Sequence, residues 1–211
     1  TTLALMPDFL DPINLLGYFG TWALIGLLVV VFIESGVLFP VLPGDSLLFV
    51  AGMLAAGTAA AAQDGTVQAN FQLWQLLVFI PIAAILGGQA GYFIGRFIGV
   101  EMFKPNARFL KQKYLDEAHA FFEERGPFAI VIARFVPIVR TLAPISAGAA
   151  KMRYGVFTLY NVIGALVWGI GLTLLGYFLG QFEIIQKLLE PIFILIVVLS
   201  VAPMFWEWYK R

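Results

Sequence analysis

Pro40-Val41-Leu42-Pro43-Gly44-Asp45 falls in the middle of the first long apolar run, Gly20 to Leu54, and no single helix absorbs it. Two prolines and a glycine within five positions remove backbone donors and release the chain from helical geometry. The limb that follows, Ser46 to Ala56, reaches only about 16 Å as a helix at about 1.5 Å per residue, against a hydrocarbon core of about 30 Å. Too short to cross, it turns residues 20–56 into a re-entrant hairpin. Such broken backbone is tolerated at membrane depth only where protein buries it.

Outward from that hairpin, residues 57–72 are small and polar with no basic residue, which places them outside by the positive-inside rule. Residues 73–95 read as a transmembrane helix. It delivers the chain to Arg96, Lys104, Arg108, Lys111 and Lys113, so the loop that follows is cytoplasmic. In 101–126 apolar residues recur at three and four residue steps, predicting an amphipathic segment on the membrane surface or on the cytoplasmic end of a bundle. His119, the single histidine, reads as a solvated residue there.

Residues 127–150 are apolar again but hold Pro137, Pro144, Arg134 and Arg140, with Arg125 before them and Lys151 and Arg153 after. Basic flanks at both ends favour a second re-entrant hairpin, entering and leaving from the cytoplasm. A transmembrane helix at 155–180 and a C-terminal transmembrane helix at 192–209 complete the reading. Trp206, Trp208 and Tyr209 stand as an interfacial belt before Lys210-Arg211. Asp11-Pro12 reads as a helix start, and the side of the N-terminus stays open.

Gly91-Tyr92-Phe93-Ile94-Gly95-Arg96-Phe97 returns as Gly176-Tyr177-Phe178-Leu179-Gly180-Gln181-Phe182 in the span after each hairpin. The two copies run in opposite directions through the bilayer. The fold expected is therefore an all-α integral membrane protein forming one membrane domain over 1–211, built as an inverted repeat of re-entrant hairpin plus transmembrane helix. Secondary transporters recurrently use that plan. Gly87, Gly91, Gly95 and Gly99, four residues apart, read as a close-packing stripe.

Composition agrees. Hydrophobic residues make up 61% of the chain and charged residues 12%, where a soluble domain is about a quarter charged. Mean hydropathy is +0.90. The formal net charge is zero, so no basic field points to nucleic acid. Absent cysteine and one histidine argue against thiol catalysis and a zinc site, and no metal or other cofactor is expected. No basic region precedes the first apolar stretch, so a cleaved signal peptide is not expected.

Glu34 and Asp45 lie in the first hairpin, Arg134 and Arg140 in the second. Each ionisable group at membrane depth costs about 2.5 to 3.5 kcal/mol on insertion scales, and mutual pairing is the simplest compensation. The plainer reading is a neutral cluster that fastens the hairpins. The functional reading adds carboxylates whose charge responds to burial and neighbouring arginines, suited to proton exchange, and guanidiniums that hold phosphate bidentately. Pro43, Gly44, Ser46, Thr141 and Asn161 are supporting polar or backbone positions, and Gln89 and Ser146 are further polar groups on apolar segments. No nucleophile with its base is evident, which argues against an enzyme.

Taken together, Glu34-Ser35-Gly36, Pro40 to Asp45, Gly91 to Arg96, Arg134-Phe135-Val136-Pro137-Ile138-Val139-Arg140-Thr141 with Pro144 and Ala147-Gly148, and Tyr160 to Gly164 before Trp168 resemble the DedA family, whose domain is also called VTT or SNARE-associated Golgi-protein domain. The resemblance covers nearly the whole chain. It implies a multi-pass protein of the bacterial inner membrane that moves a lipid phosphate, such as undecaprenyl or another polyprenyl phosphate, between leaflets with proton coupling. Eukaryotic relatives look like phospholipid scramblases. On that resemblance Glu34 and Asp45 match the family's acids and Arg134 and Arg140 its arginines, while Ser35 and Ala133 replace Asn and Gly without touching charge. The partners implied are a lipid phosphate, protons, membrane lipids and a possible second copy of the chain. A small ion or oxyanion carrier is the alternative, and a lipid-phosphate enzyme the more distant one.

Overall fold

The structure, a computed structural model, describes residues 22–36, 44–57, 71–102, 126–180 and 182. The tip expected for the first hairpin with Pro43, residues 103–125 of the expected amphipathic segment with His119, the helix start expected at Asp11-Pro12 and the helix expected at 192–209 lie outside the described residues.

The described residues form helices and turns, with no strand among them. They are α1 (Ala23–Gly36), α2 (Gly44–Ala55), α3 (Leu73–Met102), α4 (Ala129–Ala133), α5 (Pro137–Ala149) and α6 (Tyr154–Leu179), with a 3-10 turn, Gly126–Phe128, leading into α4. Length sorts them. The 30 residues of α3 and 26 of α6 give about 45 and 39 Å, enough to cross a hydrocarbon core of about 30 Å. The 14, 12 and 13 residues of α1, α2 and α5 give only about 18 to 21 Å. Among the described residues, α3 (through Ile98) and α6 are the two helices both long and apolar enough to span.

Both long helices expose large apolar side chains, Val78, Ile82, Leu86 and Phe93 on α3 and Leu159, Ile163, Leu166 and Phe178 on α6. Bilayer tails tolerate such surfaces and water does not. By contrast α2 is buried nearly all round, nine of its twelve residues being covered. A short helix without a polar face belongs inside a packed body.

Two compact units divide the chain, one of Thr1–Leu27, Leu42–Leu77 and Gly171–Arg211, the other of Leu28–Val41 and Val78–Ile170. In the first unit α2 lies directly on the end of α6. A Cβ at Gly52 would strike the Thr173 carbonyl and stand 2.9 Å from the Tyr177 nitrogen, and one at Gly176 would strike the Phe49 carbonyl.

In the second unit α5 lies on α3 in the same manner. A Cβ at Gly148 would strike the Tyr92 carbonyl and stand 2.7 Å from the Arg96 nitrogen, and one at Gly95 would strike the Ile145 carbonyl. Gly87 meets Phe32 and Ser35 of α1, and Gly91 meets Gly36 and Pro144. The stripe read as close packing is thus occupied at Gly87, Gly91 and Gly95.

The two crossings match residue for residue, Phe49 and Gly52 on Gly176 in one unit, Ile145 and Gly148 on Gly95 in the other. Their register differs from the sequence motif by one helical turn, since the motif aligns Gly176 with Gly91 whereas the contacts align it with Gly95. A four-residue shift leaves a glycine on the same helix face, so the letter match cannot reveal the slip.

Candidate functional site

The apolar run 127–150 breaks where Pro137 dictates. Proline disfavours the α region for the residue before it, and Val136 is accordingly extended at φ −112° and ψ 109°. Upstream, the amides of Arg134, Phe135 and Val136 bond three residues back, to Val131, Ile132 and Ala133, so α4 tightens as it ends. Downstream, Pro137 opens α5, where its missing N–H costs nothing, and Arg140 donates its amide to the Val136 carbonyl at 2.9 Å. Arg134 therefore leaves from the break itself and Arg140 from the first turn of α5.

Arg140 and Glu34 form an ion pair, Nη2 donating to Oε1, with side chains 9% and 2% exposed. Both charges sit at the unfavourable end of their helix. Glu34 lies in the last turn of α1, where the carbonyl end repels an anion, and Arg140 at the amide end of α5, which repels a cation. Helix electrostatics favours neither position, so each stabilises the other. Trp168 of α6 closes the pair, its ring centroid 5.5 Å from the Arg140 guanidinium carbon.

Arg134 is 7% exposed and held differently. Its Nη2 donates to the Ala84 carbonyl at 3.1 Å and to Asn161 Oδ1 at 2.7 Å. Both acceptors are neutral. Nε and Nη1 donate to no protein atom among the described residues, which leaves three of the five N–H groups of the fork uncommitted. Mutual pairing of all four hairpin charges was the expectation, and Arg134 departs from it because α6 offers an amide there. Among the described residues of the second unit, the carboxylate of Glu34 lies on Arg140 and the neutral amide of Asn161 on Arg134.

Asn161 is 1% exposed, and its Nδ2 donates to the Ile85 carbonyl at 3.1 Å, so that its oxygen faces Arg134. Gly88 and Gly164 make the room. A Cβ at Gly88 would enter the Asn161 amide, 2.9 Å from Nδ2, and one at Gly164 would stand 2.9 Å from Arg134 Cδ. One turn along α6 from Asn161, Thr158 Oγ1 accepts from Gln89 Nε2 at 3.1 Å, and Gln89 Oε1 is buried without a partner among the described residues.

Of the other expected residues, Thr141 is buried beside Arg140 and Ser146 is buried further along α5. Gly44, Asp45 and Ser46 belong to the first unit, where Asp45 occupies the first turn of α2, an end that favours an anion. No group of three His, Cys, Asp or Glu placed to hold a metal occurs among the described residues. Gly164 and Trp168 stand in the sequence as letters of the family motif, with nothing local to announce their contacts with Arg134 and Arg140, and Gly88 carries no signal beyond its place in the Gly87-Gly88 doublet.

The model of the VTT domain matches residues 29–178, a stretch that holds all of these side chains. The chain belongs to the VTT domain family. It is similar to an uncharacterized membrane protein of Mycobacterium tuberculosis H37Rv, 44% identical over 207 residues, covering 96% of this chain and 87% of the relative. Protein DedA of Escherichia coli K12 is 42% identical over 193 residues, covering 90% of this VTT chain and 84% of its own. Inner membrane protein YqjA of the same strain is 33% identical over 178 residues, covering 83% and 76%. No solved structure matches. The chain is thus a DedA-type membrane protein, as the motifs from Glu34 to Trp168 implied.

Proposed function

We propose that this protein is a carrier in the bacterial inner membrane that takes the phosphate head group of a lipid, such as undecaprenyl phosphate, onto Arg134 and Arg140 and passes it between leaflets. In this reading residues 20–56 and 127–150 are re-entrant hairpins of an inverted repeat, and Glu34 or Asp45 exchanges protons as access alternates. The head group crosses through protein while the tails stay in lipid.

One observation carries the reading: Arg134 is buried with neutral partners and with donors to spare, beside a guanidinium already paired. A guanidinium at membrane depth whose partners among the described residues are neutral is costly, and a phosphate oxyanion supplies both charge and acceptors for the fork. The matched crossings at Gly52–Gly176 and Gly148–Gly95 support the repeat.

Reconstitution tests it. Wild-type protein in liposomes moves labelled undecaprenyl phosphate, and Arg134→Ala or Arg140→Ala abolishes the movement; unimpaired translocation by both variants ends the assignment. Response to inorganic oxyanions but not to the lipid would convert the reading to a small-oxyanion carrier. Movement indifferent to an imposed pH gradient would make it a scramblase, and release of free phosphate would make it an enzyme.

A further inference from the structure

The cluster contains two arginines with opposite treatment. Arg140 has a carboxylate, and Arg134 has an amide of almost the same shape. Aspartate in place of Asn161 would fill the same volume and bind Arg134 more strongly, but it could not donate to the Ile85 carbonyl as the amide does. It would also differ in charge. A carboxylate would neutralise Arg134 from within.

We propose that Asn161 is a positioning residue that holds Arg134 through a neutral oxygen, so that its charge stays available to the phosphate group of the substrate, with Gly88 admitting the amide. The inference rests on the reading of Arg134 as a head-group ligand and deepens it. Three features support it. The oxygen is directed at Arg134 because Nδ2 is committed to the Ile85 carbonyl. The contact uses Nη2 alone, and Nε and Nη1 donate to no protein atom among the described residues. At Gly88 even a methyl group would enter the space of the amide.

The orientation yields a chemical signature. An ionised aspartate at 161 cannot donate to the Ile85 carbonyl, and it pairs with Arg134. Asn161→Asp therefore occupies Arg134 and removes its charge from the substrate.

The charged groups around position 161 are Arg134 from the hairpin break and, acting on it, Arg140 with its partner Glu34. On the packed face α3 presents the Ala84 and Ile85 carbonyls and Gly88.

The test measures binding of undecaprenyl phosphate, with undecaprenol as the phosphate-free control, to the full chain in detergent at neutral pH. Asn161→Asp is expected to bind undecaprenyl phosphate at least about tenfold more weakly than wild type while its binding of undecaprenol is unchanged. Gly88→Ala displaces the amide without adding charge, and should likewise weaken binding of the lipid phosphate. If Asn161→Asp fails to fold, Gly88→Ala decides, and undiminished binding by it overturns the proposal. Undiminished binding by Asn161→Asp, or an equal loss of undecaprenol binding, overturns it as well. Arg134→Ala separates the layers: if it binds the lipid phosphate normally, the head-group reading itself fails, whereas a loss there beside normal binding by Asn161→Asp removes the positioning role alone.

Discussion

Removing one partner of the Glu34–Arg140 pair strands a charge that is almost wholly buried and at the wrong end of its helix. Breaking a buried pair from one side costs about 3 to 5 kcal/mol, whereas removing both partners is far milder. Glu34→Ala and Arg140→Ala should each lower the thermal midpoint in detergent, and the double variant should recover part of the loss. Additive effects in that cycle would show that the pair is not a unit. Arg134 is a different case, since its bonds go to neutral oxygens and a lysine ammonium could satisfy one of them. Arg134→Lys should leave the thermal midpoint nearly unchanged yet slow lipid-phosphate transport by about tenfold or more, because a point charge replaces a planar fork. Equal transport by the lysine variant would mean that charge without geometry suffices.

At the scale of elements, the interruptions were legible and the meetings between side chains were not. Pro137 acts on its immediate neighbour, so the break at Val136 follows from two adjacent letters. The long spans, α3 and α6, likewise follow from uninterrupted apolar runs. The Arg134–Asn161 bond joins residues 27 apart in sequence and also needs α3 carbonyls 50 and 76 residues from the side chains that reach them. Those meetings depend on how helices cross, which glycines decide. The close of α5 is a local feature of the same legible kind. Met152 donates to Ala147 and Lys151 to Gly148, both at 3.0 Å, and Lys151 takes φ 56°, the place where a helix usually ends in glycine. A side chain in that conformation costs about 1 kcal/mol. Lys151→Gly should accordingly stabilise the protein by up to about 1 kcal/mol, read as a higher thermal midpoint; a lower midpoint would mean that the lysine side chain has a contact worth more than the strain.

Across the whole molecule, the two crossings set what the chain tolerates. Burial of apolar surface does not drive helices together in lipid, so close approach of backbones through small residues carries more of the stability than it does in water. Gly52, Gly176, Gly95 and Gly148 each face backbone atoms that cannot swing aside, and a methyl group at any of them forces the helices apart. Overpacking of this kind costs about 1 to 3 kcal/mol. Gly155 and Gly171, also on α6, face open space, and alanine there relieves the helix penalty of glycine, about 1 kcal/mol. Alanine substitutions should therefore divide sharply: Gly52→Ala and Gly148→Ala should lower the thermal midpoint by similar amounts, as should Gly176→Ala and Gly95→Ala, while Gly155→Ala and Gly171→Ala hold or raise it. The matching is the sharper part of the prediction, because a chain without a repeated crossing has no reason to treat Gly52 and Gly148 alike. If Gly91→Ala matched Gly176→Ala while Gly95→Ala did not, the register read from the sequence motif would replace the one read from the contacts.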